Sequence, residues 1–517
     1  MTAPPEQYFD SLNRRIGKDS LITSLVGLVT RVAPLLATMA IAMFYGTGWL
    51  LDAYYLTMAI PVLLAGLIGM AVNTVFVPIL VEEEKKDSLA FEGFLNSLFT
   101  CVSLISLVIT ALYALLTPLI CSILAGALSE EARILVRDVS LELSPVIFLI
   151  TVRSFLSAVS HARRSFLSPT YALTLVPAAT IVSLFLFHDR LGIHSLVIGN
   201  NAGFLLAAVF LYLSLRLNGI RIGIGWQFDR RIFDTLRLSL PQVLSASVLK
   251  LNPLIDRTVA SYLAVGCISA LAYAERIQSV PLQILNLGFY NVVLAHWSYA
   301  RAEDGLAKVK KSLLDLQQML LSLALPLFLY LWIFRRELIG LFLEHGALDA
   351  AGADMISSVY GVYLIGMIPL FLSMVYVRAF LVLKDTVFLM KVGFFNVASK
   401  LILNLVFVFV LDLGVEGIAL STTVTSWVIL FIMFAALRTR LGELPLRVKA
   451  KEMAQLVLVV AGVSVVTGML WDRGQAFYGR WLLVAMCSAF FFLCYFLSMY
   501  MLKDDAYLKL RNLVWRR

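Results

Sequence analysis

Long, uninterrupted apolar runs recur along almost the whole chain, and they constrain the fold more than any other feature. The first run covers about residues 21–45, and thirteen more of comparable length follow it. A helix needs about 20 apolar residues to cross the hydrocarbon core of a bilayer. The runs are continuous rather than alternating, which excludes a transmembrane β-barrel. The sequence therefore predicts an all-α polytopic membrane protein with about 14 transmembrane helices.

The composition agrees with this fold class and excludes several functions. Of the 517 residues, 60% are hydrophobic and 15% are charged, well outside the range of soluble domains. The polar residues 1–20 and the long first run do not fit a cleavable signal peptide. The five cysteines show no metal-ligand spacing, which predicts free thiols without a disulfide framework or a metal site. No nucleotide-binding or hydrolase motif occurs, so we expect neither an enzyme nor a cofactor.

The positive charge is distributed as in an oriented membrane protein. The net charge is +9. With the N-terminus inside and the connections assigned alternately, 28 of the 42 Lys and Arg residues fall on the cytoplasmic side and seven on the outer side. This asymmetry predicts that both termini are cytoplasmic. It also predicts contact with anionic headgroups of the membrane lipids, and a nucleic-acid partner is not expected.

A faint internal repeat indicates how the spans are organised. The stretches "IAMFYGTG" and "VASYLAVG" each end in a glycine that a tyrosine follows seven residues later, at Tyr55 and Tyr273. This favours a duplicated transporter fold, with two six-helix lobes around a central cavity and two additional C-terminal helices. The predicted segments are a cytoplasmic N-terminus (1–20), an N-lobe (21–216), a cytoplasmic interfacial linker (217–235), a C-lobe (236–440), a C-terminal helix pair (441–502) and a cytoplasmic basic tail (503–517).

Two polar segments between spans also carry predictions. The linker mixes apolar residues with arginines, which predicts a segment lying on the inner membrane surface. The stretch "SEEARILVRDVSLELSP" begins with Ser129, a typical helix N-cap, followed by two glutamates. It predicts an amphipathic helix that extends the fourth span outward.

Charged residues inside the predicted spans are the candidate functional residues. An arginine at a helix centre costs roughly 2.5–3.5 kcal/mol, so such residues usually face a water-filled cavity or a partner. Lys391 is expected to snorkel from the end of its span, whereas for Lys400 a cavity role and a structural role are both open. The other cations are Arg31, Arg153, Lys250, Arg257 and Arg276, and the acids include Asp52, Asp256 and Glu275.

The cluster in the seventh and eighth spans has two interpretations. Arg257 could form an interhelical ion pair with a purely structural role. Alternatively, the net positive charge near the middle of the membrane could bind substrate, because guanidinium groups offer a bidentate fork to diphosphate or carboxylate groups. The second interpretation predicts an anionic substrate rather than a cationic drug.

Several stretches resemble the MurJ/MviN lipid II flippases of the MOP exporter superfamily. "SLVGLVTRVAPLL", "FYGTGWLLDAYY" and "VFVPIL" are similar to the family's first two helices, and "AYAERIQSVP" to its eighth. "LFLEHGALD", "RAFLVLKDT", "NVASKLILNLVFV" and "GVEGIALSTTVTSW" resemble the region from the ninth to the twelfth helix. Together they cover about residues 20–440 in the family's order.

The resemblance implies roles for three of the charged residues. Arg31 matches the first-helix arginine of the family, Asp52 the acid that opens the second helix, and Arg276 the eighth-helix arginine. Asp52 or Glu275 would then be the acid that couples transport to a cation gradient.

The chain also departs from the family pattern. Ala37 and Thr38 stand where the family usually has an Arg–Asp pair, and Ser279 stands where an acid is expected. Apolar "LLAGLIG" replaces the basic pair after the second-helix proline. Arg153, Lys250 and Arg257 are interpreted as compensation for this missing charge.

The resemblance implies a flippase in the bacterial cytoplasmic membrane. Its substrate would be an undecaprenyl-pyrophosphate-linked saccharide, with the peptidoglycan precursor lipid II as the leading choice. Alternating access would move the headgroup, while the lipid tail follows a groove formed by 441–502. The implied partners are this lipid-linked glycan, membrane lipids, a monovalent ion or proton, and cell-wall synthases; the protein itself is expected to be a monomer.

Three alternatives remain open from the sequence. The substrate could be another polyprenyl-linked exopolysaccharide or an O-antigen unit. The chain could instead be a MATE-like small-molecule antiporter, although acidic cavity groups would suit that function better. The missing charges also fit a non-transporting membrane scaffold.

Overall fold

The chain is helical throughout the part for which a structure is described. The structure is a computed structural model that describes residues 30, 32–86, 88–124, 128–163, 165–226, 231–237, 250–286, 297, 306–442, 458–459, 461–463, 465–469, 471 and 480–501. Within these ranges every extended regular element is a helix. The predicted all-α fold class is therefore confirmed.

Eight of the described helices are long and apolar enough to cross a membrane. They lie at eight of the predicted spans: Trp49–Lys86, Phe91–Leu124, Glu130–Ala162, Leu167–Leu191, His194–Leu217, Ala350–Val382, Thr386–Val410 and Gly414–Leu441. Shorter apolar helices lie within three more predicted spans, at Val32–Tyr45, Ala324–Ile333 and Trp481–Tyr495. The other three predicted spans lie partly outside the described residues. The polytopic membrane prediction is thus confirmed.

The chain divides into two compact units. Unit 1 comprises Met1–Arg276 together with Gly346–Leu348, and unit 2 comprises Ile277–His345 and Asp349–Arg517. The described helices of unit 1 are α1 (Val32–Tyr45), α2 (Trp49–Ala71), α3 (Val77–Lys86), α4 (Ser88–Leu124), α5 (Glu130–Leu143), α6 (Pro145–Ala162), α7 (Leu167–Leu191), α8 (His194–Leu217), α9 (231–237), α10 (Asn252–Ala260) and the first half of α11 (Cys267–Asn286).

Unit 2 contains the rest of α11, short helical stretches at 458–459, 461–463 and 465–469, and six longer described helices. These are α12 (Leu306–Ile333), α13 (Arg335–Phe342), α14 (Ala350–Val382), α15 (Thr386–Leu405), α16 (Gly414–Leu441) and α17 (Arg480–Met501). Two π turns interrupt the described helices. In a π turn each N–H donates to the carbonyl oxygen five residues earlier, which widens the helix. One turn, Val72–Phe76, joins α2 to α3, and the other, Val406–Val410, follows α15.

The helix start predicted at Ser129 is confirmed. The Ser129 hydroxyl accepts a hydrogen bond from the Ala132 N–H at 3.4 Å and so caps α5. Ser144 separates α5 from α6, and Pro145 opens α6 at a position where a missing N–H costs nothing. The predicted extension of the fourth span is therefore a separate short helix that meets the span at Ser144.

The seventh span ends earlier than the predicted boundary at residue 264. Helix α10 ends at Ala260, and turn residues follow as far as Gly266. Gly266 has φ +93°, a left-handed backbone conformation that cannot continue an α-helix. Charge and hydropathy do not reveal this boundary, because the residues after Ala260 are still mostly apolar.

The linker packs onto unit 1 in extended form between residues 220 and 226. Ile220 and Ile222 are buried in a core whose other buried residues come mainly from the π turn after α2 and from α3, α4, α6 and α8. The Gly223 N–H donates to the Asn96 side chain of α4 at 2.8 Å. The alternation of buried and exposed residues is the pattern of an extended segment, and the helical part of the linker is the short α9.

The core of unit 2 contains a close helix crossing and an aromatic cluster. A Cβ at Gly366 of α14 would lie 2.8 Å from the Thr423 hydroxyl oxygen of α16, so the two helices approach closely where glycine has no side chain. Tyr330 of α12 and Ser488 of α17 share a hydrogen bond of 2.5 Å. The Tyr330 and Phe491 rings are 5.0 Å apart, within the range of favourable aromatic contacts.

Candidate substrate-binding site

The Asp52 carboxylate lies in the first turn of α2 and caps another helix. Its Oδ2 atom accepts from the Gly266 N–H at 2.6 Å, and its Oδ1 atom accepts from the Ser269 N–H at 2.7 Å. Only 5% of the residue is exposed. The first N–H groups of a helix have no partner within it, and a carboxylate there is favoured by the helix dipole. Asp52 thus holds the start of α11 against α2.

Close backbone contacts surround this cap. The Tyr273 hydroxyl donates to the Gly46 carbonyl oxygen at 3.1 Å. A Cβ at Gly46, whose φ is +56°, would lie 2.3 Å from the Ala347 carbonyl oxygen. A Cβ at Gly266 would lie 3.0 Å from the Thr47 carbonyl oxygen. The turn between α1 and α2 is therefore a tightly packed part of unit 1, and glycine is needed at both positions.

Arg257 of α10 is bound to α2 and lies beside an acid of α11. Its Nη1 atom donates to the Tyr55 carbonyl oxygen at 3.0 Å, and its guanidinium carbon lies 5.8 Å from the centre of the Tyr55 ring. Its Nη2 atom is 3.9 Å from Glu275 Oε2. The Arg257 side chain is 16% exposed, so most of it is packed. The interhelical ion pair considered from the sequence is present.

Arg276 follows Glu275 on α11, and its side chain is exposed. Its charge acts on the phenol groups of both Tyr54 and Tyr55, as does that of Arg257. Arg257 contacts Tyr55 and lies beside Glu275, and Arg276 follows Glu275 within electrostatic reach of Tyr55; we call these four residues the Tyr55 cluster. It presents two guanidinium groups and one carboxylate, which leaves a net positive charge suited to an anion.

Lys250 and Arg153 lie elsewhere. Lys250, just before α10, is exposed and lies beside Gly66 of α2, where a Cβ would be 3.9 Å from Lys250 Cε and 4.0 Å from Nζ. Arg153 is on α6, next to Ser154, which packs against Gly69 of α2. The Nε atom of Arg153 is buried and has no hydrogen-bond partner among the described residues.

The remaining candidates differ in burial or fall outside the structure. Arg31 lies outside the described residues, so its role stays a prediction. Lys391 on α15 is exposed, as expected for a lysine that snorkels, whereas Lys400 on the same helix is 6% exposed.

Sequence reasoning missed Tyr55 and Gly66 as parts of this region. The internal repeat pairs Tyr55 with Tyr273 in the sequence, and the structure brings the two rings into contact, with centroids 6.2 Å apart. The aromatic residue three positions after Asp52 was an available signal for a cation partner. Gly66 offered no signal, because its importance comes from the neighbouring Lys250.

Comparison with known proteins places the chain in a family. The family model described as "Lipid II flippase MurJ" matches residues 41–488. The chain belongs to the lipid II flippase MurJ family. The family resemblance read from the sequence motifs is thereby confirmed.

Relatives of this MurJ-family chain match it over most of their length. A probable lipid II flippase MurJ from Rhizobium tropici is 25% identical, over 83% of this chain and 82% of the relative. A protein of the same name from Vibrio cholerae serotype O1 is 24% identical, over 89% and 90%.

Solved structures show the same fold as this MurJ-family chain. A lipid II flippase MurJ in an inward closed conformation matches with a TM-score of 0.80 at 22% identity, covering 94% of this chain and 99% of that one. An inward-facing multidrug resistance MATE family transporter of the MOP superfamily matches with a TM-score of 0.64 at 17% identity, covering 82% and 99%. These matches establish the all-helical transporter fold and agree with the placement in the MOP superfamily.

Proposed function

We propose that this chain is a flippase that moves lipid II across the bacterial cytoplasmic membrane. The observation that carries the proposal is the Tyr55 cluster, a net cationic group inside a membrane chain of this family. Lipid II is joined to its polyprenyl tail through a diphosphate. Two guanidinium groups and one carboxylate carry a net positive charge that suits such an anion, whereas a cationic drug would be repelled.

The residues of the cluster differ in their proposed roles. Arg276 is exposed and contacts the diphosphate, together with Arg31. Arg257, which is held by the Tyr55 carbonyl, adds to the positive charge of the cluster. Arg153, near Gly69 of α2, lies apart from the cluster, and its assisting role stays a separate prediction. Glu275 is the better candidate for a coupling acid, because both oxygens of Asp52 already accept backbone N–H groups.

The transport cycle is proposed as alternating access, in which the site opens first to the cytoplasm and then to the outside. A monovalent cation gradient, protons or the membrane potential would drive it, since the sequence offers no site for ATP. Both termini would be cytoplasmic, and the lipid tail would follow residues 441–502. The protein would work as a monomer within reach of cell-wall synthases, and its two six-helix lobes would carry the motion.

Complementation tests the proposal directly. This chain would be expressed in a Gram-negative strain whose own lipid II flippase can be shut off, with membrane levels measured in parallel. We expect the parent and the Arg190→Ala control, which alters an exposed arginine at the end of α7, to support growth. Arg276→Ala and Arg31→Ala should not, because each removes a cation that would hold the diphosphate.

Two outcomes would contradict different parts of the proposal. Full growth of Arg276→Ala at normal membrane levels would refute the site assignment. Failure of the well-expressed parent would refute lipid II as the substrate. A change in drug susceptibility with unchanged glycan export would instead favour the MATE-like antiporter.

A second candidate function is export of another polyprenyl-diphosphate glycan. It is favoured by Ala37 and Thr38, which stand where the family usually has an Arg–Asp pair. Both residues are buried, and the Thr38 hydroxyl donates to the Pro34 carbonyl oxygen at 2.8 Å. Small, buried side chains therefore stand where the family usually has the charged pair. Loss of a surface glycan on deletion, with normal peptidoglycan synthesis, would support this candidate.

A further inference from the structure

Two contacts set the register between α10 and α2 and show that these helices run antiparallel. Arg257 Nη1 contacts the Tyr55 carbonyl oxygen at 3.0 Å. Lys250, seven residues earlier, lies beside Gly66, which is eleven residues after Tyr55. At a rise of 1.5 Å per residue, Tyr55 and Gly66 are about 16 Å apart along α2. Arg257 and Lys250 therefore meet α2 at two separate levels.

A single diphosphate cannot occupy both levels. Its two phosphorus atoms share one bridging oxygen, so its anionic oxygens span less than the separation of the two levels, which at the same rise is about 16 Å along α2 and about 10 Å between residues 250 and 257. A diphosphate bound at the Tyr55 cluster leaves Lys250 to face a different part of the same substrate.

The chemistry at the Gly66 level differs from that of the Tyr55 cluster. Gly66 has no side chain, so the surface of α2 is open beside the Lys250 ammonium group. Among the described residues, Lys250 forms no ion pair with a carboxylate. An ammonium group is a compact point charge with three hydrogen-bond donors. Unlike a guanidinium group, it can bind an anion without pairing with two oxygens in one plane. A lone carboxylate satisfies this arrangement.

We propose that Lys250 binds a second anionic group of the substrate, a carboxylate on the sugar or peptide part of the lipid-linked glycan. This inference rests on the proposed function, because it assumes that the Tyr55 cluster takes the diphosphate. It adds a property of the substrate: the transported headgroup carries a carboxylate as well as a diphosphate. Neutral polyprenyl-linked glycans would bind less well.

Binding measurements on the full-length protein in nanodiscs test this proposal. The probes are undecaprenyl diphosphate, an undecaprenyl-diphosphate disaccharide-peptide with free carboxylates, and the same compound with those carboxylates converted to amides. We expect the parent to bind the acidic compound about two- to fivefold more tightly than the amide, as for a partly exposed ion pair. Lys250→Gln should abolish this preference and leave the affinities for the other two probes unchanged.

A second pair of variants separates the position of the ammonium group from its charge. Gly66→Leu keeps Lys250 but fills the space beside it, and should also abolish the preference. Gly66→Ala should keep the preference, since a Cβ there makes only an ordinary contact at 3.9 Å. Lys391→Gln, which removes an exposed lysine of α15, serves as the charge-matched control.

The possible outcomes distinguish this inference from the proposed function. A parent that binds the acidic and amide compounds equally, or a Lys250→Gln variant that weakens all three probes alike, would overturn the inference alone. Parent protein that binds none of the three probes would overturn the proposed function. Nanodiscs made with neutral or anionic phospholipids separate a substrate carboxylate from a lipid phosphate, and a preference that disappears only with anionic lipid would assign Lys250 to the bilayer.

Discussion

Replacing Asp52 by asparagine tests whether this carboxylate holds α11 in place. The two hydrogen bonds that it accepts are 2.6 and 2.7 Å long and are buried. Asparagine keeps one acceptor oxygen but places an NH₂ group, a donor, against the second backbone N–H. One charge-assisted hydrogen bond is lost and a buried donor is left unsatisfied. Together we expect these changes to lower the free energy of unfolding by roughly 3–5 kcal/mol.

The assay combines thermal unfolding with hydrogen exchange. The unfolding temperature of the purified protein in detergent should fall for Asp52→Asn. Amide exchange, measured by mass spectrometry, should rise at Gly266 and Ser269 before it rises elsewhere in α11, because local opening precedes global unfolding. Glu142→Gln is the matched control. Glu142 pairs with His194 at 2.8 Å, and its side chain is 43% exposed, so its loss should cost less than about 1 kcal/mol.

An unchanged unfolding temperature, with parent-like exchange at both amides, would refute the capping role. In that case the alternative in which Asp52 binds a coupling ion would be the better account. That alternative predicts a variant that is stable but has an altered dependence of transport on the ion gradient. The two roles are therefore separable with a single substitution.

Three further substitutions test the packing of unit 1. Gly225→Ala would place a Cβ 2.8 Å from the Asn96 Cβ, so the linker should be displaced from α4 and stability should fall by about 1–3 kcal/mol; proteolysis of the linker would report the displacement. Glu83→Ala removes the carboxylate that Arg231 contacts, and because the Arg231 side chain is about half exposed the loss in a thermal unfolding assay should be about 1–2 kcal/mol. Gly192→Ala meets no atoms, but φ +53° with ψ −130° is a conformation that residues other than glycine rarely adopt, so it should cost about 1–3 kcal/mol of backbone strain.

Local signals in the sequence accounted well for the helices. The cap at Ser129 and eight of the spans depend on residues close together in the chain, and both were predicted. The extended form of residues 220–226 was not predicted, because packing against the core of unit 1 determines where Ile220 and Ile222 lie. A helical period in the sequence does not. Tertiary packing overrode the amphipathic pattern there.

The candidate site was predictable in its residue types but not in its grouping. Sequence spacing put Lys250 and Arg257 on one helical face, and no local rule indicated that they meet α2 at different levels. The pairing of Arg257 with Tyr55 depends on two residues 202 positions apart. Such contacts follow from the register of packed helices, which periodicity alone does not determine.

The two π turns have a consequence for how this chain tolerates insertions and deletions. Deleting one residue from an α-helix turns everything beyond it by about 100°, which would carry buried faces toward the lipid. A π turn already contains one residue more than an α turn needs. Deletion of one residue within Val72–Phe76 or Val406–Val410 would restore ordinary α-helix and leave the flanking faces in register. Alignments of related chains should therefore show single-residue gaps at these two turns more often than elsewhere in the spans.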